Sequence, residues 1–194
     1  VKFSNYSWLV KESTQRVGPG DNFFSAGRSN VSVNCFGALN LRMNRIDNGV
    51  VSCAEVVSRD SFSYGTYRIA LAPDRFEFNP SVVFGVFLYN ESLAPLHNEV
   101  DIEFSRWNMP VNLNSQYIVF DSAIRPSSYR FNTFASDRAT LHEIVVKKDS
   151  IHFRSFYMNS SGKNSARLYA ATSMANVWSP KRPYAHMRFN LWLK

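Results

Sequence analysis

Along all 194 residues no segment keeps an apolar period near 3.6, whereas short runs with strand character recur from end to end with turn signals between them. Runs at 30–34, 38–45, 50–58, 65–71, 99–105, 115–121, 141–147, 151–158, 165–171 and 185–193 read as strands. Asn48-Gly49 is a hairpin signal, because both central positions of a tight hairpin turn need a backbone that Asn and Gly adopt readily. A Lys-Asp-Ser turn joins 141–147 to 151–158. The run 81–89 is almost continuously apolar, which marks a strand covered on both faces. Many short strands and no helix predict an all-β, two-sheet antiparallel sandwich. No repeat, low-complexity tract or linker divides the chain, so residues 1–194 are expected to form one domain. The stretches 73–80 and 175–183 are the longest candidate surface excursions. The chain stops directly after a strand, which leaves room for a further C-terminal element.

Composition narrows the function. An aromatic share of 15% suits a pleated sheet, and it equally suits a protein that stacks rings on sugar faces. The formal charge of +7 raises the question of nucleic acid. Its basic residues are scattered, however, and the tightest pairs, Lys147-Lys148 and Lys181-Arg182, extend into no basic run or known binding motif. A solvated basic surface is the plain reading, and an anionic wall or matrix polymer as neighbour is another. Cys35 and Cys53 make no metal-binding spacing and leave one disulfide open. No apolar run reaches the length of a membrane span. The first residue is Val1 rather than Met, which fits a processed protein, and secretion with a monomeric state is expected. Asn5, Asn30, Asn90 and Asn159 begin N-x-S/T sequences.

The chemistry lies in the run Glu99-Val100-Asp101-Ile102-Glu103-Phe104. A strand sends alternate side chains to one face, so the three acids share a face while Val100, Ile102 and Phe104 turn to the core. Three like charges on one strand repel, and Asp disfavours strands. Such a row is costly as mere surface. Four residues of strand span about 13 Å, and two Glu side chains leaning inward can close that to the ~5.5 Å of a retaining glycosidase. One carboxylate would then attack the sugar, and its partner would protonate the leaving oxygen. Asp101 between them would hold a proton or hydrogen bond that keeps the two outer pKa values apart. The spacing alone permits either order of roles.

The sequence around this run resembles glycoside hydrolase family 16, within the concanavalin A-like sandwiches. Glu99-Val-Asp-Ile-Glu103 fits the family's E-x-D-x-E signature in the form found in bacterial lichenases and plant xyloglucan endotransglucosylases. Cys53-Ala-Glu55, Tyr64-Gly-Thr-Tyr67, the run 81–89, Gln116-Tyr117 and Asn190-Leu-Trp192 match the lichenase order and spacing. The resemblance implies a jelly-roll sandwich with a concave cleft, with Glu99 as nucleophile, Glu103 as general acid/base and Asp101 as assisting acid. It implies that Glu55, Tyr89, His97, Gln116, Asn190 and Trp192 line the cleft, and that neither metal nor cofactor takes part. Five of these lining residues also have a plain alternative: Glu55 as a surface acid, Tyr89 and Trp192 as core aromatics, Gln116 as a partner of backbone groups, Asn190 as an ordinary polar side chain. The sugar-reading positions depart from the lichenase pattern. Leu96 and His97 stand where lichenases carry Trp just before the catalytic strand, Ile118 stands where they carry a polar residue, and Val57 stands where they carry Arg. Three classes follow: a retaining endo-β-glucanase, a transglycosylase with the same covalent intermediate, and a lectin-like binder without turnover. The intact triad disfavours the third.

Overall fold

The computed structural model describes residues 1–46, 49–73, 79–93, 98–109, 113–121, 126–133, 138–158, 167–175 and 185–194. Among the described residues sixteen strands follow one another: β1 (Lys2–Phe3), β2 (Tyr6–Val10), β3 (Phe23–Phe24), β4 (Val31–Val33), β5 (Leu39–Leu41), β6 (Asn44–Arg45), β7 (Val51–Phe62), β8 (Gly65–Leu71), β9 (Val82–Tyr89), β10 (Glu99–Phe104), β11 (Ser115–Phe120), β12 (Ser127–Phe131), β13 (Thr140–Val146), β14 (Ser150–Tyr157), β15 (Arg167–Ala175) and β16 (Ala185–Leu193). A 3-10 turn at Glu91–Leu93 follows β9. Among the described residues no helix is long and apolar enough to cross a membrane.

The larger sheet runs β1-β2-β7-β16-β9-β10-β11-β12, with β3 and β6 joined to β7. The smaller one runs β15-β14-β13-β8, and β4 pairs with β5 alone. Alternation makes the core. Val86 and Leu88 of β9, Val100, Ile102 and Phe104 of β10, and Tyr117 and Val119 of β11 pack with Ile144, Val146, Ile151 and Phe153 of the smaller sheet. The result is the expected antiparallel sandwich. The 38–45 run divides into β5 and β6: Arg42 donates its N–H to the Asn30 carbonyl in register with the β4–β5 ladder, and Asn44 and Arg45 then pair with β7 instead. Strands β1–β3 and β12 carry no strong sequence signal, yet β2 brings Trp8 edge-on to Phe189 at 5.3 Å between ring centres.

A polar knot sits inside this core. The Tyr117 hydroxyl donates to Ser155 Oγ at 2.6 Å. His142 contacts Ser155 Oγ through Nδ1 at 2.7 Å and Thr140 Oγ1 through Nε2 at 2.9 Å. The imidazole meets Phe104 of β10 edge-on at 5.1 Å. Burial pushes its pKa down to about 3, so it stays neutral here.

Two N-x-S/T asparagines are occupied by the fold. Asn30 is 2% exposed and donates to the carbonyls of Arg42 and Ser52, and Asn90 is 6% exposed and accepts from Ser92. Asn5 is exposed, while Asn159 lies outside the described residues. Both cysteines are free, Cys35 exposed and Cys53 buried.

Candidate active site

Registry across the larger sheet aligns the site. Glu55 of β7 lies opposite Asn190 of β16, Asn190 opposite Gly85 of β9, and Gly85 opposite Glu103 of β10. Glu103 in turn lies opposite Gln116 of β11, and Gln116 opposite Arg130 of β12. Directly opposed residues share a face, so one polar row crosses six strands on the side away from the core. Parallel rows carry Arg188, Phe87, Asp101 and Ile118, then His186, Tyr89, Glu99 and Phe120. Phe87, Asp101, Gln116 and Asn190 are nevertheless buried, which makes this face a recess rather than an open surface.

Asp101 is 2% exposed, and neither of its carboxyl oxygens finds a donor among the described residues. Its side-chain contact is the Glu99 carboxyl. Two carboxyl groups make a hydrogen bond only if one carries the proton. Burial, then the charges of Glu99 and Glu103, hold the Asp101 pKa well above the ordinary range, which puts the proton there. The unfolded chain ionises Asp101 near its ordinary value, while the folded chain keeps the proton to higher pH. Folding therefore takes up a proton in that window, and stability falls as pH rises through it. Asp101→Asn supplies a neutral donor to Glu99 that needs no such proton. Urea melts at pH 5 and pH 8 are expected to show a smaller loss of stability at the higher pH than in the wild type. An unchanged difference would mean that folded Asp101 is ionised.

Glu103 feels opposing influences. Burial raises its pKa first, the Gln116 hydrogen bond lowers it, the Glu99 charge raises it, and Lys194 and a Trp107 hydrogen bond lower it; the net direction is upward. Gln116 Nε2 is the donor to Glu103 Oε2. Trp107 reaches Glu103 because Trp107 and Asn108 hold left-handed backbone angles of 47° and 58°, turning the chain back directly after β10. Asn190 is buried, and its Oδ1 has no donor among the described residues, leaving an acceptor in the recess. Gly85 makes room for it, since a Cβ there would lie 2.6 Å from Asn190 Oδ1.

Glu55 is 1% exposed and not a surface acid. It is held by Arg188 Nη1 at 2.8 Å and by Lys11 Nζ at 3.1 Å. Arg188 also pairs with Glu91 and lies 5.1 Å from the centre of the Tyr89 ring. Val57, where the lichenase pattern has Arg, sits directly opposite Arg188 in the ladder. The cation is thus present in the same row, on the neighbouring strand. Trp192 is half-buried on the same face as Asn190, and the left-handed Gly20 packs so close that a Cβ would lie 2.6 Å from its ring. His97 lies outside the described residues. The structure brings Glu55, Tyr89, Gln116, Asn190 and Trp192 onto the acids' face. It adds Lys11, Trp107, Arg130 and Arg188, which the strand patterns did not single out. Arg188 was within reach of that reading, as it precedes Asn190 and Trp192 by even steps on one strand.

No family model matches the sequence, and no curated protein matches it. Solved structures do match. A β-glucanase of Bacillus licheniformis superposes with a TM-score of 0.70 at 18% identity, over 98% of this chain and 82% of that one. A β-1,3-1,4-glucanase (lichenase) derived from a mouse hindgut metagenome gives 0.68 at 18% identity, over 99% and 82%. An immunostimulatory antigen and pseudo β-1,3-glucanase of Mycobacterium tuberculosis gives 0.70 at 15%, over 96% and 80%. The resemblance to glycoside hydrolase family 16 thus extends over nearly the whole fold, which is a lichenase-type β-sandwich jelly roll.

Proposed function

We propose that the chain is a retaining endo-glycoside hydrolase acting outside the cell on a β-1,3/β-1,4-linked glucan. The observation that carries this reading is the acid row itself. A protonated, sealed Asp101 touches one outer carboxylate, Glu99, while the other, Glu103, has its pKa raised by burial. Burial thus leaves Glu103 the member of the pair able to carry a proton at working pH. Glu99 attacks the anomeric carbon as Glu103 gives its proton to the leaving oxygen. Glu103 then takes a proton from water, which displaces Glu99 and returns a sugar of retained configuration. Asp101 donates to Glu99 and steadies its charge before attack. The unpaired Asn190 Oδ1 accepts a sugar hydroxyl, and Trp192 offers an aromatic face beside it. Incubation with a panel of β-glucans, with reducing ends counted and products sized, tests this. Mid-chain cleavage of a mixed-linkage glucan supports it. Chain lengthening without new reducing ends would make the protein a transglycosylase, and binding without turnover would make it a lectin-like module.

A further inference from the structure

Glu103 faces two donors, and Arg130 touches both. Gln116 Nε2 donates to Glu103, and Arg130 Nε donates to Gln116 Oε1 at 3.2 Å. The Arg130 guanidinium carbon lies 4.7 Å from the centre of the Trp107 ring, and the Trp107 side chain hydrogen-bonds to Glu103. A guanidinium can only donate, whereas an amide has one donating and one accepting end. With Arg130 on its outer side, Gln116 must turn its oxygen outward and its N–H groups toward Glu103. The reverse orientation would set Oε1 against Glu103, a contact that only a protonated carboxyl can make. We propose that Arg130 is a positioning residue, which fixes Gln116 and Trp107 so that both donate to Glu103 and favour its ionised state.

An acid/base group must give up its proton as well as hold it. Around Glu103, burial and the Glu99 charge favour the proton, and the two donors oppose them. The other groups facing it are Asp101 on its own strand, Lys194 after β16, and the uncharged Gly85 and Asn190. Lys194 acts by its charge. Arg130 acts through the amide it orients, and it does so from an exposed position on β12 that is not part of the core.

The test is a ¹³C NMR titration of the glutamate side-chain carboxyls, with E103Q to assign the resonance and thermal melts to confirm folding. Arg130→Met is expected to raise the Glu103 midpoint by about half to one pH unit. Arg130→Lys, still a pure donor, should recover most of that shift. In a Gln116→Met background Arg130→Met should then move the midpoint little, since the coupling runs through the amide. A midpoint unmoved by Arg130→Met overturns the proposal. An equal shift with and without Gln116 does so too, because Arg130 would then act as a surface charge. The kinetic arm rests on the hydrolase reading: the basic limb of kcat/KM on an unactivated glucan should move upward by the same amount, and not on a substrate with an activated leaving group. A chain inactive on every glycan sinks that reading alone, and the titration still decides the role of Arg130.

Discussion

Glu103→Gln is expected to lower kcat/KM on an unactivated β-glucan by about 10²–10⁴-fold, the usual range for losing a general acid. An aryl β-glucan oligosaccharide with a good leaving group departs without a proton, so its first step should be nearly unaffected. The variant then stalls at the glycosyl-enzyme, because no base activates water. Azide needs no such base, and should release the sugar as the β-azide. Glu99→Gln should fail on both substrates, since an amide cannot form the intermediate. Asp101→Asn should cost less than either, as it bonds to Glu99 rather than to the sugar. Steady-state kinetics of the three variants on the two substrates, with product analysis in azide, provide the check. A gain from the better leaving group in the Glu99 variant instead of the Glu103 variant would exchange the two roles. Wild-type rates in all three would remove the acids from the active site.

A second large effect is expected from acid. His142 is 1% exposed and stays neutral down to a pKa of about 3, whereas the unfolded chain protonates it near the model-peptide value of 6.5. Between these values the unfolded state binds the extra proton, so stability rises with pH and is lost as pH falls below 6.5. One such group costs up to about 1.4 kcal/mol per pH unit, or roughly 4–5 kcal/mol across the window. That is a large share of the stability of an ordinary domain. Asp101 and Glu103 act with the opposite sign, because their raised pKa values make the folded state the one that binds protons. Urea unfolding from pH 7 to pH 4 should therefore show a loss from which His142→Gln removes about one proton's worth of slope. Equal slopes in the two proteins would mean that the folded state admits the imidazolium.

The acids were legible because alternation alone fixes which residues share a strand face, and Glu99, Asp101 and Glu103 need nothing else to meet. The cleft partners on β7, β9, β11 and β16 came from the resemblance to glycoside hydrolase family 16, because alternation within one strand does not say which strands lie beside it. What escaped the sequence came from strands with weak patterns or from turns. Ser127–Phe131 offers only Tyr129 and Phe131 as alternating apolar residues, too short a pattern to mark a strand, so β12 and with it Arg130 stayed hidden. Lys11 follows β2, a short strand whose only buried residue is Trp8. Trp107 depends on two consecutive left-handed residues, a geometry that Asn108 tolerates and a tryptophan rarely adopts. The hydrogen bonds of His142 join β13 to β14 and back onto β13, and no linear pattern encodes them.

The seat of Arg188 opposite Val57 has a consequence for how such a chain can drift. Glu55 needs a cation beside it, and the ladder offers that place from either of two strands. Once β16 supplies the charge, position 57 is released from duty and can accept an aliphatic side chain, while position 188 inherits the constraint. Two sites distant in the chain thereby become alternatives for one task. A lineage could pass the guanidinium from one strand to the next through an intermediate that carries both. Descendants would differ at each position separately and still agree in the sum, so the function of that row is a property of neighbours across hydrogen bonds and not of any single column of residues.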